Sequence, residues 1–252
     1  MLVCATTGCG RNNQKLVNWP NIVESSRVFT YAKDHIMKKT VNSILLGACL
    51  ACHSVYAANT AIDATLTAGN QEFGGSLGLD FIVHSPISIS KIGAFDDNGD
   101  GMNREISVGI FHRNDGGTPA DFADDAGAGA ILGLTNFTTV DPGTLQGSYR
   151  FKDASVTLDP GNYTLVGWGH GAGERNGNDA VAFNDGGGQV EFVGGSRFGD
   201  PGAAGSFPGS VDGGPPVRYG AGNFVYDAVP EPSTFGLLAL AAAGFFSRRR
   251  RN

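Results

Sequence analysis

Cysteine is missing from most of this chain. Of its 252 residues, the four cysteines, Cys4, Cys9, Cys49 and Cys52, all precede residue 58, so the remainder has no disulfide framework and no thiolate metal site. Charge is sparse, at 17%, and one sign is nearly absent from the middle. Residues 58–229 hold 21 acidic and 8 basic side chains, a formal charge of 8 − 21 = −13. Without a Lys/Arg patch there is no surface to displace counterions from a phosphate backbone, which excludes nucleic acid as a partner. Helical periodicity is lacking over the same stretch. What is plentiful is glycine, 39 residues, with 11 prolines; that density disfavours a helical bundle and favours an all-β domain with many tight turns. The length allows one good-sized core, hence one domain with tails.

The first tail has the pattern of a signal peptide. Residues 37–57 begin Met-Lys-Lys-Thr, continue through the apolar stretch Val41 to Ala51, and close on Val55-Tyr56-Ala57 before Ala58. A basic start, a short apolar core and small residues at −3 and −1 predict cleavage between Ala57 and Ala58. A buried helix of about three turns is the competing reading, and Leu46-Gly47-Ala48-Cys49 also passes as a lipoprotein box, ranked second because it leaves only about eight apolar residues. Residues 1–36 show no sustained apolar period, and Cys4 and Cys9 lack the paired spacing of a zinc site. A signal belongs at a terminus, so the expectation is a disordered upstream extension with translation starting at Met37.

The second tail reads Val229-Pro230-Glu231-Pro232-Ser233-Thr234, then an apolar run from Phe235 to Phe246, then Ser247 and four arginines. The prolines fix an extended entry, and Ser233 can cap a helix that begins at once. Twelve apolar residues make about 18 Å of helix, against a hydrocarbon core of about 30 Å. A transmembrane helix over 234–247 therefore spans only with local thinning or with snorkelling of its flanking arginines. Arg248, Arg249, Arg250 and Arg251 hold that end in the cytoplasm by the positive-inside rule, which leaves the body outside the inner membrane. Both ends predict export.

These C-terminal residues resemble the PEP-CTERM sorting signal of Gram-negative bacteria that make exopolysaccharide. The resemblance implies recognition by an exosortase, a multi-span membrane peptidase, with Pro230, Glu231 and Pro232 as the recognition triplet. It also implies delivery of the body to the cell surface or extracellular matrix. The alternative is an ordinary C-terminal anchor that is never cut.

Between the tails, apolar residues alternate in short runs with the period of half-buried strands. Strands are predicted at 77–84, 87–95, 105–113, 130–140, 149–158, 163–168, 189–193 and 223–227, separated by turn signals such as Asn98-Gly99, Asp159-Pro160-Gly161 and Asp185-Gly186-Gly187. An antiparallel, jelly-roll-like β-sandwich follows as the economical way to bury one face of each. Residues 194–222 are expected to form a long loop or edge region. Three stretches, Ile92 to Gly101, Val108 to Phe111 and Leu158 to Tyr163, also resemble a domain often attached to the same sorting signal and generally without an assigned activity.

Few residue patterns carry chemistry. Asp96, Asn98 and Asp100, followed by Gly101, have the oxygen-ligand spacing that opens a calcium loop. The twelfth position is Ser107 rather than Glu, so Asp97 or Glu105 would have to supply the missing ligand, and the same residues equally suit a hairpin turn. Asp121, Asp124 and Asp125 read as a solvated loop. Gly74-Gly75-Ser76-Leu77-Gly78 matches a nucleophile elbow, but a strand rather than a helix follows the serine. Gly167-Trp168-Gly169-His170-Gly171 is followed by no helix that could hold a pyrophosphate, and reads as a flexible loop. His84, His112 and His170 share no ligand spacing. Trp168, Tyr149, Tyr163 and Tyr219 suit either a sugar-stacking platform or core packing. The expectation is a non-enzymatic exported protein whose partners are exosortase, the inner membrane and extracellular polysaccharide, with calcium as the one candidate cofactor. A carbohydrate-binding or carbohydrate-cleaving sandwich is the alternative.

Overall fold

The computed structural model describes residues 58–63, 66–179, 181–200 and 205–230. The expected upstream extension, the signal segment with Ala57, the helix over 234–247, and Glu231, Pro232 and Arg248 to Arg251 lie outside these.

Thirteen strands are formed among the described residues: β1 (Asn59–Thr60), β2 (Ile62–Asp63), β3 (Leu77–Val83), β4 (Ile87–Phe95), β5 (Ile106–Asn114), β6 (Ala126–Phe137), β7 (Thr144–Gln146), β8 (Tyr149–Leu158), β9 (Gly161–Trp168), β10 (Ala182–Phe183), β11 (Val190–Phe198), β12 (Ser210–Val211) and β13 (Gly222–Ala228). The eight long ones correspond to the eight predicted. All pairings are antiparallel. One sheet runs β1-β13-β4-β8-β7 and the other β12-β11-β3-β9-β5-β6, with β2 and β10 as a separate pair. The blocks β1-β13-β4-β8 and β3-β9-β5-β6 have the interleaved order of a jelly roll, extended at one edge by β11 and β12.

Alternation explains which face each strand buries. Leu77, Leu79, Phe81 and Val83 of β3 join Ile87, Ile89, Ile92 and Ala94 of β4 in the shared core. In β4 the step from Ile89 to Ile92 breaks the period of two, and the register against both neighbours shifts at that point. This bulge keeps Ile92 pointing inward. Aromatic rings close the gap between sheets: Phe81 meets Phe224 of the facing sheet at 5.3 Å and stacks on its cross-strand neighbour Tyr163 at 5.5 Å. On β13, the buried Asn223 side chain donates to the Ile62 carbonyl at 2.7 Å and accepts from the Ile62 amide at 3.0 Å. The short N-terminal strands are thus pinned to the last one.

The one long edge strand among the described residues is β6, and it carries neither charge nor proline. Three register shifts along its pairing with β5 bend it instead, a guard against edge-to-edge association that works through shape.

Candidate functional site

The acidic turn lies at the end of β4, where the chain crosses to the other sheet. Asn98 has φ 74° and Gly99 φ 72°, a left-handed pair that Asn and Gly accept at little cost. Each carboxylate of the turn has a partner within the protein. Asp96 accepts from Arg150 Nε at 2.6 Å and from the Gly101 amide at 3.2 Å. Asp97 accepts from the Gly69 amide at 2.7 Å and from Arg175 Nε at 3.0 Å. Asp100 accepts from the Asn103 side chain at 3.2 Å, and the Asn98 amide is turned toward Asp97 at 2.9 Å. Burial works to raise the Asp97 carboxyl, but the hydrogen bonds from Arg175 and the Gly69 amide outweigh it and hold it below the usual carboxylate range.

Glu174, which sequence reasoning passed over, ties this turn together. Its Oε1 accepts from the Asp97 amide at 2.8 Å and its Oε2 from the Asn103 amide at 2.7 Å. Burial pushes its carboxyl up, partly offset by those two amides. The cations facing the calcium-like spacing are thus the guanidinium groups of Arg150 and Arg175. Among the described residues no group of three or more His, Cys, Asp or Glu is placed to hold a metal ion.

The segment after β9 is a correction to the expected flexible loop. His170, Glu174 and Asn176 are fully buried, and Gly169 at φ +97° lies against the Glu105 carbonyl. Burial is the main force that lowers the His170 imidazole to about 4, so it is neutral at ordinary pH. The three histidines stay apart in role: His84 pairs with Glu191 at 2.9 Å, His112 stacks on Tyr163 at 5.0 Å, and His170 is interior. Ser76 is buried directly before β3 with no helix after it. Tyr149, Tyr163, Trp168 and Tyr219 are all buried, the core-packing outcome.

A second correction concerns the outer face of the six-stranded sheet. Strand alternation sends Asp80 of β3 away from the core, yet it is fully buried, as is Arg197 of β11. With Arg113 and Asp125 they form a quartet of two carboxylates and two guanidinium groups. Arg197 Nε donates to Asp80 at 2.5 Å, its Nη2 donates to Asp125, and Arg113 Nη1 donates to Asp125 at 2.8 Å. Asp125, expected in a solvated loop, is therefore an interior ion, while Asp121 and Asp124 remain exposed. Phe122 covers Arg113 and Phe207 covers Arg197, each at 5.3 Å. Phe207 also packs on Phe111 at 6.0 Å beside Trp168. The Gly/Pro-rich region after β11 thus contributes a lid over a small second apolar cluster. Arg197 Nη1 and Asp125 Oδ1 have no hydrogen-bond partner, so the quartet fixes the position of two loops more than it adds stability.

At the other end of the molecule the last strand runs straight into the C-terminal tail. The Val229 amide donates to the Pro86 carbonyl at 3.0 Å, and the next residue, Pro230, is exposed. A family model, the PEP-CTERM protein-sorting motif, matches residues 228–251. The chain carries a PEP-CTERM sorting signal. The PEP-CTERM match covers Pro230, Glu231, Pro232 and the arginines at 248–251, begins on the last residue of β13, and implies export through a membrane-anchored precursor. No curated protein and no solved structure matches the chain. No helix among the described residues is long and apolar enough to cross a membrane.

Proposed function

We propose that the chain is a non-enzymatic cell-surface or extracellular-matrix protein, cut near Pro230-Glu231-Pro232 by an exosortase and associated with exopolysaccharide. The observation that carries this reading is the PEP-CTERM signal at residues 228–251, joined without a linker to the folded body. A structural or adhesive role is supported by the prior engagement of the end-loop carboxylates with Arg150, Arg175 and backbone amides. A body charge of 8 − 21 = −13 keeps such a domain soluble among acidic polymers, or lets divalent cations bridge the two.

Intact mass and terminal peptide mapping of the protein from its producing cells tests the proposal. The expected species starts at Ala58 and stops near Pro230. Recovery of residues 235–252 still attached, in a membrane fraction, overturns the processing step and makes the tail a permanent anchor.

A further inference from the structure

The sorting signal begins inside the folded body. Its family match starts at Ala228, the last residue of β13, and β13 is an inner strand, set between β1 and β4. β1 pairs with it at Val225 and Tyr226. β4 carries the ladder further, with Ser88 opposite Asp227 and Ile87 opposite Ala228, and the Val229 amide then donates to the Pro86 carbonyl at 3.0 Å. Pro230 has no amide hydrogen, so the ladder stops where the Pro-Glu-Pro triplet starts. Burial falls in step. Tyr226 is fully buried, and its hydroxyl donates to the Asn184 carbonyl at 2.8 Å. Asp227, Ala228 and Val229 are half-buried, and Pro230 is exposed. The firm part of the strand ends at Tyr226, and the three residues after it form a strip that can peel from β4 without opening the core.

A peptidase holds the residues beside the bond it breaks in extended form, through their backbone amides and carbonyls. On the N-terminal side of a bond near Pro230 those residues are the strip itself. Its neighbour β4 lies one strand spacing away, about 4.8 Å, where a wall of the peptidase cleft would have to stand. The tail has no slack to present the bond elsewhere, because only Pro230 to Thr234 separate Val229 from the apolar run, about 20 Å at full extension. We propose that the end of β13 gates the sorting cut: the closed sheet withholds residues 227–229, and the exosortase takes them only after they leave β4. The observed rate is then the rate on released chain multiplied by the fraction released. Breaking one or two backbone hydrogen bonds, each of modest net worth, leaves about one molecule in ten released.

The gate rests on the reading that an exosortase cuts this tail. The experiment is a pulse-chase of the full chain in its producing cells, following loss of the tail by size. In one variant a Gly-Ser linker ending in a second Ala-Val is inserted between Val229 and Pro230, so that the triplet keeps its own upstream residues on free chain. The half-time of the cut is expected to shorten about tenfold, equivalent to about 1.4 kcal/mol. In a second variant a linker of the same length sits between Pro232 and Ser233; it lengthens the tether, leaves the strip paired, and is expected to give no acceleration. In a third, Ser88→Cys with Asp227→Cys places two thiols at directly opposed positions, within disulfide reach, in a body that has no other cysteine. Once alkylation shows the bridge formed, the cut is expected to slow at least about fivefold, and reduction of isolated membranes to restore the parent rate. Equal rates for the parent and the first variant, equal acceleration by the second, or a bridged pair cut at the parent rate overturns the gate while the processing reading stands. Absence of the cut in the parent and in every variant overturns the processing reading, and the gate with it.

Discussion

Replacing Arg197 by methionine removes one of the two cations from the buried quartet while keeping most of the side-chain volume. Asp80 and Asp125 are then left with Arg113 alone, whose Nη1 lies 2.8 Å from Asp125 but whose Nε is 3.8 Å from Asp80. All four side chains are at most 2% exposed, so water does not screen the surplus charge. Breaking a buried ion pair from one side costs about 3–5 kcal/mol, and the Phe122 carbonyl loses its Nη2 donor as well. We therefore expect Arg197→Met to destabilise the protein by about 4 kcal/mol, a large share of the ~5–15 kcal/mol available to a domain. Urea unfolding followed by tryptophan fluorescence reads this directly, because Trp168 belongs to the adjoining apolar cluster. A second variant separates charge from packing. Asp80→Asn combined with Arg197→Met restores neutrality, keeps the Arg113–Asp125 pair, and leaves an amide oxygen to accept from the Thr164 hydroxyl, which now donates to Asp80 at 2.5 Å. It is expected to recover at least about 2 kcal/mol of the loss. A single variant within about 1 kcal/mol of the parent, or a double variant no better than the single, refutes the view that the quartet is held by charge balance.

Two further outcomes follow from the loop after β9. His170 is lowered by burial from 6.5 to about 4, so as pH falls below 6.5 the unfolded chain takes up a proton that the folded one refuses. Stability should decline by about 3 kcal/mol between pH 6.5 and 4 and be flat above that window for this group; urea titrations of His170→Gln, run alongside the parent at each pH, should lose that part of the slope. Gly169 has φ +97° and no space for a Cβ against the Glu105 carbonyl, whereas Gly101 has φ +112° and nothing within 4 Å. Gly169→Ala is expected to cost about 3 kcal/mol and Gly101→Ala about 1 kcal/mol by thermal or chemical unfolding; equal losses would mean that backbone strain, not the collision, sets the cost.

The strands were legible because alternation is a local signal. Ile87–Phe95 and Tyr149–Leu158 match their predicted limits at both ends, since each is bounded by turn residues. The cluster on the outer face of the six-stranded sheet was not legible. Asp80 sits at a position that alternation sends outward, and nothing local says that Arg197, 117 residues later, will meet it there. The same holds for Glu174, whose two acceptor oxygens reach the backbone of a turn 71 and 77 residues away. Gly- and Pro-rich stretches were read as loops because their composition reports the backbone conformations they permit. It does not report whether a single Phe207 or His170 within them is carried into the interior. The sorting signal was legible in full as a linear pattern, since its parts are read in order along the chain.

The antiparallel register of β1 with β13, Asn59 opposite Tyr226 and Thr60 opposite Val225, sets the two proposed cutting positions side by side. Ala58 precedes one strand of the pair and Pro230 follows the other, so both emerge from the same end of the sheet. The acidic turn and the His170 segment lie at the opposite end, because β4 and β13 run antiparallel from Ile87 beside Ala228 to Ala94 beside Gly222. A precursor held by both tails would hang like a lantern from two cords fixed at one pole, with that far pole turned outward. The first and last strands among the described residues are also neighbours, so the sheet is completed only once the whole body has been delivered. Folding of such a topology is slowed by a closure that joins residues as far apart as Ile62 and Asn223, 161 positions, and the proposed cut near Pro230 lies just beyond the end of β13, where that closure finishes.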